Sequence, residues 1–219
     1  MTTLVQLIAE ACRLRLMRGL EESLESCGFV RIAGVDEAGR GSLAGPVVAA
    51  AVVPDPRRLV PGVDDSKQLT PEERAAAAVM IRRTAIAVSV VAIEADTIDS
   101  INILEAAREA MRRCLVALRP RPDCAVVDAV AVRGLPFPCL PVVRGDQVSY
   151  AVACGSILAK VERDRLMTEL DRHYPQYGFA AHKGYAAPEH LRALAEYGPS
   201  PIHRLTFHGV VPRYAEGFA

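Results

Sequence analysis

After one N-terminal helix, strand-like segments run early in this chain and alternate with helices only later, and that order constrains the fold more than any other feature. Residues 30–35, 45–53 and 85–93 are short apolar or β-branched runs bounded by glycine, proline or polar turns, so they read as strands. One helix interrupts them. Its start is marked by Thr70-Pro71-Glu72-Glu73, which supplies a cap, a first-turn proline and early acids. Residues 102–118 read as another helix, 124–127 and 140–143 as two short strands, about 148–173 as a long helix and 188–197 as a short one. Leading strands followed by alternation predict an α/β fold: a mixed β-sheet flanked by helices, with a helical C-terminal extension. Leu4, Leu7, Ile8, Leu14, Met17, Leu20 and Leu24 recur near helical spacing, so residues 3–27 read as one amphipathic helix stopped by Gly28. The expected division is an N-terminal helix (1–28), a core (29–173) and a C-terminal extension (174–219).

At 219 residues and 51% apolar composition the chain suffices for one sizeable core. Its longest apolar stretch, residues 44–53, is too short to cross a bilayer. Charged residues interrupt the first thirty positions, which argues against a secretory leader, so a cytosolic protein is expected. The six cysteines show no C-x-x-C spacing and read as buried small hydrophobes, without a zinc site. Net charge is formally zero, so any nucleic-acid contact must come from local grouping. Arginine outnumbers lysine 23 to 3, and that imbalance singles out Lys67, Lys160 and Lys183.

Four acids sit where apolar strands stop or turn. Asp36 and Glu37 follow the first strand, Asp128 ends the run Cys124-Ala125-Val126-Val127, and Asp146 precedes the long helix. An acid beside a buried strand is unfavourable unless it is paired, hydrogen-bonded or bound to metal. Mg²⁺ and similar hard cations take carboxylate oxygens, and a cluster of acids without histidine suits them. Taken singly, Asp146 reads equally well as a helix cap and Asp128 as a turn opener. Neighbours on a regular strand point to opposite faces, so a shared site for Asp36 and Glu37 predicts a strand distortion at Glu37, eased by Gly39 and Gly41.

Gly39-Arg40-Gly41 lets backbone approach a ligand closely with its N–H groups free, or forms a tight turn; both readings hold together. Lys67 follows Ser66 in a loop, and Lys160 lies four residues after Ser156 on the long helix, so each lysine has a serine at hand for a phosphate oxygen. Lys183 lies in the glycine-flanked run His182-Lys183-Gly184-Tyr185, where Tyr185 reads as an aromatic free to stack on a sugar or base, or as a packing residue. The five histidines fall between His173 and His208 without metal-site spacing and read as surface or partner-binding residues.

Gly34-Val35-Asp36-Glu37-Ala38-Gly39-Arg40-Gly41, followed by Leu43-Ala44-Gly45-Pro46-Val47, resembles the signature of bacterial ribonuclease HII. Agreement continues in order through Asp65-Ser66-Lys67, Asp128, Gly145-Asp146, Ser156 to Asp164, Tyr177-Gly178-Phe179 and His182 to Tyr185. Ser42 stands where that family usually has proline, Arg144 where lysine is common, and Cys154-Gly155 where alanines are common. The resemblance implies a ribonuclease H-like fold and an endonuclease that hydrolyses the RNA strand of RNA–DNA hybrids. Its substrates would include single ribonucleotides embedded in duplex DNA, as in ribonucleotide excision repair. It implies Asp36, Glu37, Asp128 and Asp146 as ligands for two Mg²⁺ or Mn²⁺ ions, with cleavage leaving 5′-phosphate and 3′-OH ends. Gly39, Arg40 and Gly41 would sense the ribose 2′-OH, Tyr185 would stack on a neighbouring sugar, and Ser66, Lys67, Ser156, Lys160 and Lys183 would hold phosphates. A cytoplasmic monomer is expected. Two other readings remain open: the sister ribonuclease HIII, for whose extra N-terminal domain thirty leading residues are too few, and a non-catalytic hybrid-binding module. Residues 199–219 carry no motif for a partner such as a sliding clamp.

Overall fold

The computed structural model describes residues 3–211. One five-stranded sheet runs in the order β3-β2-β1-β4-β5. Strands β1 (Ile32–Ala38), β2 (Val47–Val53) and β3 (Ala87–Ile93) pair antiparallel, while β4 (Cys124–Asp128) and β5 (Cys139–Val142) extend the sheet in parallel from the other side of β1. Helices cover both faces, so β2 is buried at every position and reads as an unbroken apolar run. Ala49, Ala51 and Val53 pack with Ala106, Ala110 and Cys114 of α5 (Ile103–Ala117) on one face. Ala50 and Val52 face the opposite way, towards α3 (Pro71–Thr84) and α7 (Tyr150–His173).

Helix α7 is the long helix expected from the sequence, and it is buried nearly all round over Tyr150 to Ala159. It lies directly on β1. A Cβ on Gly34 would meet the Ala151 carbonyl carbon at 2.0 Å, and one on Gly155 would meet the Ala50 carbonyl oxygen at 2.8 Å. Backbone therefore packs on backbone, and glycine alone fits there.

The N-terminal segment is two helices, α1 (Leu4–Met17) and α2 (Gly19–Ser26), where the sequence pattern predicts one. The bend at Arg18 serves two different apolar clusters: Leu14 and Met17 join the α3–α7 layer, while Leu20 and Leu24 pack on Ile32, Val126 and Val152. Glu21 is buried and ties α2 to the start of α7. Its Oε1 accepts from the Ser149 hydroxyl at 2.7 Å and from the Ala151 amide at 2.8 Å. Burial raises its pKa, against the pull of those donors and of Arg18.

Other departures have local causes. Helix α4 (Ala95–Ile101) precedes α5 because Asn102, at φ +67°, breaks the helix and caps the next one through Leu104 and Glu105 amides. Ser149 likewise separates the short α6 (Gly145–Val148) from α7 and caps α7 through Val152. Two more helices, α8 (Phe179–His182) and α9 (Pro188–Tyr197), carry the C-terminal part onto the end of α7, around Leu43, Met167 and Tyr177. Only the expected α9 was legible as periodicity; α8 is a single turn. Cys114, Cys124 and Cys154 are buried as expected and Cys139 is half-buried, but Cys12 faces outward on α1 and Cys27 is exposed in the turn after α2.

Gly34→Ala should destabilise the protein by about 3 kcal/mol or block folding, as overpacking against backbone has no soft neighbour to yield; chemical denaturation measures it. Glu21→Gln tests the buried acid. A carboxyl whose folded pKa is raised contributes most to stability below its unfolded value of 4.5 and loses that contribution as pH rises through the folded value. The melting temperature of the variant relative to the parent should therefore climb as pH is raised from 4.5 to neutrality.

Candidate active site

Strand β1 outruns its parallel neighbour. The β1–β4 ladder ends with Val35 opposite Val127, whereas pairing with β2 continues through Asp36–Ala50, Glu37–Ala49 and Ala38–Val48. The strand distortion predicted at Glu37 is therefore absent. The sheet opens instead: β4 stops at Asp128, and Ala129 turns the chain away at φ +51°. By register Asp36 and Asp128 come level on the face towards α7, as Gly34 and Val126 do below them. Glu37 starts from the opposite face, but no strand flanks that edge of β1, and its side chain lines the same cleft.

That cleft has a volume of about 450 Å³. Asp36, Glu37, Asp128, Gly39, Arg40, Gly41, Ser66, Lys67, Ser156, Lys160 and Tyr185 all line it. Burial, then the Glu37 charge, pushes the Asp36 carboxyl well above its usual range, with Asp128 adding to the rise. The Glu37 amide, 2.8 Å from Asp36 Oδ1, and the Ser156 hydroxyl oppose it. Glu37 is also raised by burial, although the Arg40 guanidinium lies 3.2 Å from its Oε1. Its Oε2 is buried with no hydrogen-bond partner.

Two predicted residues stand apart. Asp146 is buried at the start of α6, where Lys67 Nζ lies 3.2 Å from its Oδ2; it does not line the cleft. Lys183 turns its ammonium onto the Thr168 hydroxyl and the Ala180 carbonyl, away from the cleft. Among the described residues no three acid, histidine or cysteine groups form a ready-made metal cluster. The donor set nevertheless suits a hard divalent cation: Asp36, Glu37 and Asp128 repel one another, and the orphaned Glu37 oxygen lacks a positive partner.

Around the acids stand phosphate-sized donors. The Ser66 and Ser156 hydroxyls meet at 2.9 Å, which brings the Lys67 loop against α7. Lys160 pairs with Asp164 at 2.8 Å and lies 5.9 Å from the centre of the Tyr185 ring. Tyr185 is 39% exposed, an aromatic face at the rim.

Sequence reasoning missed two buried arginines. Arg163 donates to the carbonyls of Pro46 (3.1 Å), Lys183 (3.0 Å) and Ala44 (3.2 Å), and its guanidinium lies 5.4 Å from the Tyr185 ring centre. Gly39, at φ +95°, is glycine because a Cβ there would strike Arg163 Nε at 1.9 Å. Arg204 donates to the carbonyls of Gly45 (2.9 and 3.0 Å) and Arg40 (3.0 Å). Burial and the nearby Arg163 charge push Arg204 down to about 9. Helical spacing was the available signal for Arg163, since Ser156, Lys160 and Arg163 share one face of α7. The histidine reading also needs correction. His190 and His203 are buried and bonded to each other at 3.0 Å, because the C-terminal segments fold over them.

A mixed sheet with acids on its two central strands and cationic donors around the same cleft defines a ribonuclease H-like nuclease. Solved structures agree: ribonuclease H2 from Pyrococcus horikoshii OT3 superposes with a TM-score of 0.72 at 29% identity, covering 83% of this chain and 95% of that one. Bst-RNase HIII, solved in complex with Mn²⁺, shares the fold at a TM-score of 0.68 and 20% identity, over 83% of this chain and 68% of that one. The ribonuclease HII family model matches residues 33–210. Ribonuclease HII of Geobacillus kaustophilus is 51% identical over 192 residues, 88% of this chain and 73% of that protein. The chain belongs to the ribonuclease HII family, and with it to the ribonuclease H enzymes that cleave the RNA strand of RNA–DNA hybrids. No helix among the described residues is long and apolar enough to cross a membrane.

Arg204→Lys should lower stability by about 2 kcal/mol, because one ammonium leaves a buried carbonyl of Arg40 or Gly45 unpaired. Thermal denaturation measures it.

Proposed function

We propose that this enzyme hydrolyses the strand on the 5′ side of a ribonucleotide, including a single ribonucleotide embedded in duplex DNA, and leaves 5′-phosphate and 3′-OH ends. Asp36, Glu37, Asp128 and Asp146 would hold two divalent ions, Mg²⁺ or Mn²⁺. The observation that carries this reading is the gathering of Asp36, Glu37 and Asp128 in one cleft, with the Glu37 oxygen left without a partner. When bound, such ions supply an activated water and stabilise charge on the leaving oxygen.

The chain's own residues do the positioning. Gly39, Arg40 and Gly41 present backbone towards the substrate, and reading a 2′-OH there distinguishes RNA from DNA at one position. The Arg40 side chain is engaged by Glu37 and its carbonyl by Arg204, so the peptide groups of this turn are held in place before substrate arrives. Lys67, Lys160 and the Ser66–Ser156 pair offer charge and hydroxyls to phosphate oxygens. Lys67 guards Asp146, so moving its ammonium to a phosphate would free that carboxylate. Lys183 would serve substrate from a position outside the cleft, and Tyr185 offers its ring to a sugar. In this reading the enzyme acts as a cytoplasmic monomer in ribonucleotide excision repair.

A DNA duplex with one embedded ribonucleotide should be cut beside that ribonucleotide when Mg²⁺ or Mn²⁺ is present and left intact when the metal is chelated. Cutting confined to long RNA runs would point to the activity of the sister ribonuclease HIII. Asp36→Asn should abolish cleavage while the thermal melt stays near that of the parent. Full turnover by that variant would overturn the ligand assignment.

A further inference from the structure

Three histidines hold the backbone on either side of Tyr185, and their hydrogen-bond directions are forced. The Ser200 amide can only donate, and it donates to His203 Nδ1 at 2.9 Å. The remaining proton of neutral His203 is then on Nε2, which lies 3.0 Å from His190 Nε2. That nitrogen of His190 must accept, so His190 carries its own proton on Nδ1 and donates it to the Tyr185 carbonyl at 2.8 Å. His182 holds the other side. Its Nδ1 accepts from the Gly184 amide at 3.2 Å, and its Nε2 donates to the Tyr177 carbonyl at 2.8 Å. The His182 and His190 rings stack with centroids 4.5 Å apart.

A second proton on either partner of the His190–His203 pair would set two N–H groups against each other. The arrangement therefore requires neutral rings of defined tautomer, and burial lowers the basicity of both. The consequence reaches the cleft. The Gly184 amide and the Tyr185 carbonyl lie on either side of the Tyr185 Cα, so holding them sets the point from which the phenol ring projects, and the ring then stands 5.4 Å from the Arg163 guanidinium and 5.9 Å from Lys160 Nζ. Backbone bonds share in holding this segment: the Leu43 amide donates to the Gly184 carbonyl at 2.8 Å, the Tyr185 amide to the His182 carbonyl at 3.0 Å and the Ala187 amide to the Tyr185 carbonyl at 2.8 Å. His190 adds the side-chain donor on that last carbonyl, and a residue placed before binding has less freedom to lose.

We infer that His190, with its tautomer set by His203, is a positioning residue that holds Tyr185 ready for the substrate sugar. The inference rests on the reading of Tyr185 as a substrate contact. His190 acts through Tyr185 and touches no reacting atom.

Ring-nitrogen NMR on ¹⁵N-histidine protein at neutral pH should show the Nδ1–H tautomer for His190 and Nε2–H for His182 and His203. The opposite tautomer at His190, or a charged ring, overturns the inference without any variant. His190→Phe keeps an aromatic ring but removes the donor. It should raise KM for the ribonucleotide-containing duplex on the order of ten-fold with kcat little changed. His190→Asn, whose amide can still reach towards the Tyr185 carbonyl, should lie nearer the parent KM than His190→Phe does. The decisive measurement is the double variant His190→Phe/Tyr185→Ala, whose KM should equal that of Tyr185→Ala alone. Additive losses, or a fall in kcat at constant KM, would show that His190 does not work through Tyr185. An unchanged KM for Tyr185→Ala by itself would remove the substrate reading of Tyr185, and this inference with it.

Discussion

The contact between α7 and β1 at Gly34 is the one on which the rest of the structure depends. Helix backbone lies against strand backbone with no side chain between them. That contact sets the height of Asp36 beside Ser156 and, further along the same helix, places Lys160 at the cleft and Arg163 behind its glycine turn. A spacer of one methyl group would lift the helix and separate the acids from the donors facing them. The Glu21 carboxylate locks the other end of this contact by binding the first turn of α7, so the N-terminal helices also bear on the site. Close packing makes the position of each donor a property of the whole core.

Apart from the Arg40–Glu37 pair, the path of the chain directs the cations around this cleft to partners other than its acids. The acids sit on the sheet, where burial and mutual repulsion raise Asp36 and Glu37. The two buried guanidiniums, Arg163 and Arg204, face backbone carbonyls and brace the Gly39–Gly45 turn from behind. Carbonyl oxygens satisfy these cations without quenching the acids. Exposed Lys67 and half-buried Lys160 are held on carboxylates at the edge, Asp146 and Asp164, and both line the cleft where an anionic substrate would lie. Histidines complete the frame around Tyr185, with His190 on its carbonyl and His182 on the neighbouring Gly184 amide.

Much of this is legible in the sequence. The strands, the capped helix at Thr70 and α9 are local signals, and the sheet with its flanking helices follows from their order. Candidate acids and phosphate donors stood out because acids end apolar strands and lysine is scarce. The bend at Arg18 was not legible, since both halves keep helical periodicity and differ only in which cluster they pack against. Nor were the buried roles of Arg163, Arg204, His190 and His203, because their partners are backbone atoms and rings far away in the chain.

The sequence by itself determined the five strands and the longer helices, which residue types stand at strand ends, and the family to which those motifs belong. It did so because periodicity, caps and strand-end acids are short-range features. Tertiary structure alone decided how Asp36 and Glu37 share a cleft. Local reasoning demands a bent strand, yet β1 stays regular, and it is the early end of β4 that leaves Glu37 an open edge. Tertiary structure also set Asp146 behind Lys67 and turned Lys183 away. Those outcomes depend on where neighbouring strands stop and which distant carbonyls need donors, and neither is written in the spacing of nearby residues.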